Sequence, residues 1–234
     1  MISTAMILAA GRGERMRPLT DHCPKPLLEV AGTALIVWHL RRIAAAGIKR
    51  VVINHAHLGH LIEAALGDGR QWGLKIQYSA EAQALETAGG IATALPLLGT
   101  APFLVINGDI FSDWPMTRAL AVSAQMKAAK LRAWCVLIAN PAHHPKGDFA
   151  LDSGLLHNTG QRRFTYSGIA LFEPAFFEHC AAGEKAALAP LLRAATDERR
   201  VGGEYFDGRW VDVGTPQRLT ELDQLLRRES RITL

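Results

Sequence analysis

Apolar runs of four to seven residues alternate along this chain with longer stretches of helical spacing, and that alternation restricts it to the α/β class. The runs that read as strands are Thr4–Ala9, Arg50–Asn54, Lys75–Ser79, Phe103–Asn107 and Ala133–Ile138. Between them, Leu35–Ala46 places Leu35, Trp38, His39, Arg42, Ile43 and Ala46 on related faces of a helix that Gly47 stops. Leu58–Leu66, Gly90–Leu98 and Pro115–Ala129 read as further helices. Short connections between such elements predict parallel strands, with crossover helices on both faces of the sheet.

After Ala139 the rhythm changes. Phe149–Leu151 and Phe164–Phe172 read as strands of an antiparallel insertion, separated by a polar turn at Ser153–Gly160. Pro174–Cys180 and Leu188–Thr196 read as short helices, and Val201–Tyr205 with Trp210–Val213 as a hairpin around Asp207-Gly208. Pro216–Arg228 closes the chain as a helix, capped by Thr215 and with Pro216 in its first turn. No repeat, low-complexity linker or heptad run divides the sequence. Residues 1–234 therefore read as one domain carrying a small antiparallel β lobe.

Composition narrows the function classes. With 49% apolar and 21% charged residues the chain buries a core and is no disordered polyelectrolyte. Lys and Arg total 26 against 22 acids, a formal charge of +4, too small to predict nucleic-acid binding and compatible with an anionic small ligand. Cys23, Cys135 and Cys180 are widely spaced and match no disulfide or metal pattern, so they read as reduced thiols. No apolar run approaches the roughly 20 residues of a membrane span. The opening Met1-Ile2-Ser3-Thr4-Ala5 lacks the marks of a signal peptide. The expectation is a soluble cytoplasmic protein with no membrane and no obligatory protein partner.

The most informative local feature follows the first strand: Leu8-Ala9-Ala10-Gly11-Arg12-Gly13-Glu14-Arg15-Met16-Arg17-Pro18-Leu19-Thr20. Gly-x-Gly at the carboxyl end of a strand turns the backbone tightly and presents N–H groups to an anion. Arg12, Arg15 and Arg17 add guanidinium forks suited to phosphate oxygens. A Walker A loop is excluded because Gly-Lys-Ser/Thr is missing, and a dinucleotide fingerprint because Met16 stands where a small residue is needed. Next comes Pro24-Lys25-Pro26, where two prolines brace one lysine in an extended segment.

The pattern Leu-Ala-Ala-Gly-x-Gly-x-Arg followed by Pro-Lys resembles that of the sugar-1-phosphate nucleotidyltransferases. Leu85-Glu86-Thr87-Ala88-Gly89-Gly90, Asn107-Gly108-Asp109 and Trp210-Val211-Asp212-Val213-Gly214-Thr215-Pro216 follow in the family's order, so the resemblance covers nearly the whole chain. It implies a Rossmann-like, mainly parallel sheet, with 1–139 mainly binding nucleotide and 140–234 mainly binding sugar phosphate. It also implies transfer of a nucleotidyl group from a nucleoside triphosphate to a sugar 1-phosphate, with pyrophosphate released.

The same resemblance assigns roles. Gly11, Arg12, Gly13 and Glu14 would cradle the triphosphate, Arg15 would neutralise the departing pyrophosphate, and Lys25 would hold the reacting phosphates in line. Asp109 and Asp212 would share Mg²⁺, whose preference for carboxylate oxygen suits them. Glu81 and Thr87 would lie at the base, with Asn107 and Gly108 at ribose or phosphate. Asn140, Gly147 and Asp148 would meet the sugar. The adjacent His143-His144 and the His55, His57, His60 group read as loop residues rather than metal ligands.

Within the family, Glu86 stands where guanylyltransferases for mannose 1-phosphate favour Gly. That difference and the Asn-Pro-x-His-His run turn the expectation toward UTP and N-acetylmuramic acid 1-phosphate. Ala88 replaces an expected Gly. The guanylyl, thymidylyl and glucose-specific uridylyl activities remain the alternatives. A non-catalytic sensor would be expected to lose Lys25 or an aspartate, and all three are present. A muramyl acceptor carries a lactyl carboxylate, for which Lys146, Arg162 and Arg163 are the candidate partners.

Overall fold

The computed structural model describes residues 2–232. Strand β1 (Thr4–Leu8) leads into the glycine-rich loop, which winds into 3-10 turns at Glu14–Met16, Leu19–Asp21 and Lys25–Leu27. Then come β2 (Glu29–Val30), β3 (Thr33–Ala34), α1 (Leu35–Ala45), β4 (Arg50–His55), α2 (Gly59–Leu66) and β5 (Lys75–Ala80). They are followed by α3 (Glu86–Leu98), β6 (Phe103–Asn107), β7 (Ile110–Ser112), α4 (Arg118–Ala128) and β8 (Ala133–Ile138). The remainder holds β9 (Ala150–Asp152), β10 (Leu155–His157), β11 (Thr165–Phe172), α5 (Leu188–Asp197), β12 (Val201–Tyr205), β13 (Trp210–Asp212) and α6 (Pro216–Ile232).

One sheet runs in the order β5-β4-β1-β6-β11-β8-β12-β10-β9. Strands β5, β4, β1 and β6 pair in parallel, as do β8 and β12, whereas β11 is antiparallel to both β6 and β8. The period of two along each strand sorts apolar side chains to two faces. Ala5 and Ile7 of β1, Leu104 and Ile106 of β6, and Ile169 and Leu171 of β11 join α1, α2 and α4 in one core. Met6, Phe103, Val105, Ala170 and Phe172 point the other way, onto α3 and α5. A smaller core joins Val30, Leu35, Phe111 and Val213 to Leu222 and Leu226 of α6.

Several expectations about the second half are corrected. Strand β11 belongs to the centre of the main sheet, because its residues are apolar on both faces and need a layer on each side. An isolated bridge, Phe149 to Phe164, joins its approach to the β9 end. The segment read as a polar turn contains β10, which forms a hairpin with β9 across Ser153-Gly154, both at positive φ. Likewise, β12 and β13 form no hairpin with each other. The buried β12 runs parallel to β8, while β13 pairs with β7 in a separate two-stranded sheet. Pro174–Phe177 is a 3-10 turn, shorter than the expected helix.

Candidate active site

The carboxyl ends of β1, β4 and β6 meet at one edge of the sheet, where ligands of open α/β folds bind. Leu8 pairs with Asn54 on one side and Asn107 on the other, so an asparagine flanks the end of β1 on each side. A cleft of about 360 Å³ opens there, bounded by Gly11, Gly13, Glu14, Arg15, Lys25 and Asp109, with Asn54, Thr87, Asn107, Gly108 and Gly214 completing its wall. Gly13 adopts φ 71°, which a glycine takes without the Cβ penalty, and the turn it allows carries Glu14–Met16 back over the cleft. Gly108 is anchored by its N–H, which donates to Leu8 O at 2.8 Å.

Not all three loop arginines face this cleft. Arg12 Nη1 donates to Thr20 O at 2.6 Å and Nη2 to Asp21 at 2.9 Å, which spends its side chain on bracing the loop. Arg17 pairs with the same aspartate at 2.8 Å. Arg15 alone of the three lines the cleft. Its Nη2 lies 3.1 Å from the position a Cβ on Gly214 would take, and Asp212 Oδ1 lies 2.9 Å from that same point.

Lys25 is buried, 7% exposed, and its Nζ donates to Asp109 Oδ2 at 2.7 Å. The brace differs from the extended segment expected. Pro24 is extended, but Lys25 starts a 3-10 turn closed by Leu27 N–H to Pro24 O at 2.8 Å. An ammonium held this tightly against a carboxylate at the floor of a cleft is pre-positioned for an anionic ligand.

Asp109 and Asp212 are neighbours across the β7–β13 ribbon, where Val213 N–H donates to Asp109 O at 2.9 Å. Arg218 Nη1 donates to Asp212 Oδ2 at 2.6 Å, and His143 Nε2 lies 3.4 Å from the same oxygen. Among the described residues no group of three or more His, Cys, Asp or Glu side chains could enclose a metal ion. Asp109 in the cleft wall and Asp212 beside Gly214 of that wall nonetheless fit Mg²⁺, which commonly takes one or two protein carboxylates and completes its shell with phosphate oxygens and water.

Glu81 is misplaced for a base-reading role. Its Oε1 accepts from Asn54 Nδ2 at 2.7 Å and its Oε2 from Leu85 N–H at 2.9 Å, and Asn54 Oδ1 in turn accepts from Ala9 N–H at 3.0 Å. The buried carboxylate thus ties β4, β1 and the start of α3 together behind the cleft. Asn54, which the sequence reading passed over, lines the cleft. Its signal was present: Val51-Val52-Ile53-Asn54 brings β4 to within one residue of its end, as Leu104-Val105-Ile106-Asn107 ends β6. Glu86 opens α3 at φ 61°, a strained conformation for a residue with a Cβ.

A second cavity, about 470 Å³, shares Glu86, Thr87 and Asn107 with the cleft and extends to Asp148, Tyr166 and Arg193. Strand β11 loses register with β8 between Tyr166 and Ala170, a bulge that re-aims side chains beside the cavity. Of the three expected sugar residues, only Asp148 lines it. Asn140 is consumed by its own loop, donating to Pro145 O and Arg163 O and accepting from Thr165. Gly147 sits at φ 60°, where a Cβ would come 2.6 Å from Asn140 Oδ1 and 2.9 Å from the backbone of Arg163; it shapes the loop rather than the cavity.

Three of the histidines read as loop residues have partners. His144 Nε2 lies 3.0 Å from Asp148 Oδ1, His55 Nε2 lies 2.7 Å from Glu63 Oε1, and His57 Nε2 lies 3.1 Å from Thr20 O. None of the three basic residues expected to meet a lactyl carboxylate lines the cavity. Lys146 is exposed, Arg162 stacks 4.8 Å over Phe164, and Arg163 Nη2 donates to the backbone oxygens of Gly147 and Asp148 at 2.9 Å each.

Comparison with known proteins gives this geometry a lineage. The chain is 52% identical, over 94% of its own length and 97% of the relative's, to an N-acetylmuramate alpha-1-phosphate uridylyltransferase of Neisseria meningitidis serogroup B. It is 39% identical, over 91% of its length and 92% of the relative's, to a protein of the same name from Caulobacter vibrioides. Its fold matches the crystal structure of a putative glucose-1-phosphate thymidylyltransferase from Bacillus anthracis with a TM-score of 0.82 at 19% identity, covering 97% of this chain and 96% of that one. The nucleotidyl transferase family model matches residues 4–153, which span the glycine loop, Lys25, the start of α3 and Asp109. The chain is a member of the nucleotidyl transferase family.

Proposed function

We propose that the protein transfers UMP from UTP to N-acetylmuramate α-1-phosphate, forming UDP-N-acetylmuramate and pyrophosphate. The observation that carries this reading is the 52% identity, over nearly all of both chains, to the Neisseria uridylyltransferase for that sugar phosphate. An oxygen of the sugar phosphate attacks the α-phosphorus of UTP. The bond from that phosphorus to the oxygen bridging the β-phosphorus breaks, and its electron pair leaves with pyrophosphate. The attacking phosphate is already anionic near neutral pH, so positioning and charge neutralisation supply most of the catalysis.

In this reading, backbone N–H groups of Gly11, Arg12, Gly13 and Glu14 hold triphosphate oxygens. Arg15 neutralises pyrophosphate as it departs, and Lys25 aligns the reacting phosphates. Asp109 and Asp212 hold Mg²⁺, which when bound supplies charge neutralisation at the α-phosphate. Thr87 and the backbone of 85–90 bind base and ribose, Asn107 and Gly108 bind ribose or phosphate, and Asp148 binds sugar hydroxyls. Residues 1–139 then serve mainly the nucleotide and 140–234 mainly the acceptor, within one domain. We assign the reaction to peptidoglycan recycling in the cytoplasm, because its product is an activated cell-wall sugar and its donor a cytoplasmic nucleotide.

Pyrophosphate release tests the reading, measured with UTP, GTP, dTTP and CTP against the 1-phosphates of N-acetylmuramate, N-acetylglucosamine, glucose and mannose. The UTP and N-acetylmuramate pair should give the highest kcat/KM. Preference for GTP with mannose 1-phosphate, or for dTTP with glucose 1-phosphate, would replace it with the corresponding activity.

A further inference from the structure

The cavity beside the nucleotide cleft carries a cation that the reaction as described does not use. Arg193 lies on α5, and among the described residues it is the one basic side chain lining that cavity. Its guanidinium sits 5.3 Å over the ring of Phe149, which orients the fork without neutralising it. Among the described residues no carboxylate lies within ion-pair distance of it. Glu86 and Asp148 share the wall, and Asp148 is already engaged: Oδ2 accepts from Tyr166 N–H at 2.8 Å, and Oδ1 lies 3.0 Å from His144 Nε2.

A second polar group in this wall also lacks a partner. The Tyr166 hydroxyl is buried and makes no hydrogen bond. Burial raises its pKa well above 10, so it stays a neutral donor. The element bearing Arg193 is tied to the nucleotide side as well. Ala186 O, just before α5, accepts from Ala88 N–H at 2.9 Å and Gly89 N–H at 3.1 Å, and Ala186 N–H donates to Leu85 O at 3.0 Å. The position of Arg193 relative to Thr87 is therefore set by direct bonds between α3 and the entrance to α5.

We propose that Arg193 is the receptor for an acidic arm on the acceptor, so that this cavity selects sugar 1-phosphates bearing a carboxylate. The proposal rests on the acceptor reading given above and deepens it by assigning the residue that reads the acid. With the phosphate end of the sugar toward Asn107, a carboxylate at the far end of the cavity meets the guanidinium. Glu86 and Asp148 line the same wall, so an acid entering without Arg193 would face only like charge. A carboxylate buried without a cation is heavily penalised, and a bidentate guanidinium is the strongest available partner.

The test is steady-state kinetics with saturating UTP and two acceptors that differ by the lactyl arm alone, N-acetylmuramate α-1-phosphate and N-acetylglucosamine α-1-phosphate. Arg193→Met keeps the apolar stem over Phe149 and removes the charge. It should lower kcat/KM for the muramyl acceptor by about 10- to 100-fold, chiefly through KM, the loss expected of a charged hydrogen bond. The glucosamine acceptor should be nearly unaffected. Arg193→Lys, which keeps charge without the fork, should recover part of the loss and keeps the test available if the methionine chain does not fold. Equal losses for both acceptors, or no selective loss in either variant, would overturn the role of Arg193. A wild-type protein with no preference for the muramyl acceptor would overturn the acceptor reading itself, and Arg193 with it.

Discussion

Two buried side chains show how burial and charge are resolved at single residues. Lys25 is accommodated because Asp109 meets its ammonium at 2.7 Å, and a buried cation without such a partner is strongly disfavoured. Replacing Lys25 with Ala should lower kcat/KM by about 100- to 1,000-fold, as loss of a preorganised charge at a reacting phosphate does. The melting temperature should change far less, because Asp109 can turn to water. An unchanged kcat/KM would remove Lys25 from the mechanism. His39 is resolved the other way: burial depresses its pKa from 6.5 to about 4, and its Nε2 has no partner. The unfolded chain takes up a proton on this imidazole below about pH 6.5, whereas the folded chain resists doing so until about pH 4. Stability present above pH 6.5 should therefore fall as pH drops, by about 3 kcal/mol near pH 4 from this group. Urea titrations at pH 7 and pH 4.5 check it, and His39→Leu should flatten the difference.

At the scale of elements, the glycine loop and α6 each hold part of the site. Gly13 needs φ 71°, and a Cβ there would come 3.1 Å from Thr20 Cγ2 and 3.4 Å from Lys25 Cβ. Gly13→Ala should cost about 1–2 kcal/mol through the left-handed conformation alone. It should also raise KM for UTP, because the turn places Glu14, Arg15 and Lys25 together; kinetics and thermal melts read the two effects separately. Helix α6 acts through packing. Leu222, 1% exposed, contacts the core that contains Val213, next to Asp212. Leu222→Ala should destabilise the chain by about 2–5 kcal/mol, measurable as a lower urea midpoint with an unchanged slope.

For the whole molecule, the proposed roles of Asp109 and Asp212, which meet at the end of the β7–β13 ribbon, make divalent-ion dependence the property to test. Chelation with EDTA should abolish turnover, and Mg²⁺ should restore it; full activity in excess chelator would contradict the roles of Asp109 and Asp212. Most of the first half was legible before folding. Strands β1, β4, β5, β6 and β8 match the apolar runs to within a residue, and α1, α2 and α3 end where Gly47, Gly67 and Gly99 interrupt the helical period. The second half was harder because its strands pair out of chain order. Val201–Tyr205 followed by Asp207-Gly208 reads locally as a hairpin arm, but β12 completes its hydrogen bonds with β8, more than sixty residues earlier.

Local periodicity was sufficient for the α/β class and for the glycine turn after β1, because both depend on spacing within a few residues, whereas the pairing of Asp109 with Asp212 was legible only through the order of motifs in the resemblance. The direction in which a side chain points was not available from spacing. Arg12 and Arg17 turn to Asp21 while Arg15 faces the cleft, and Glu81 closes a network behind Asn54. Arg193 lines the second cavity on a helix whose entrance Ala186 ties to the start of α3. Such placements follow from hydrogen bonds and packing between segments far apart in the chain, which exist only once the sheet has assembled.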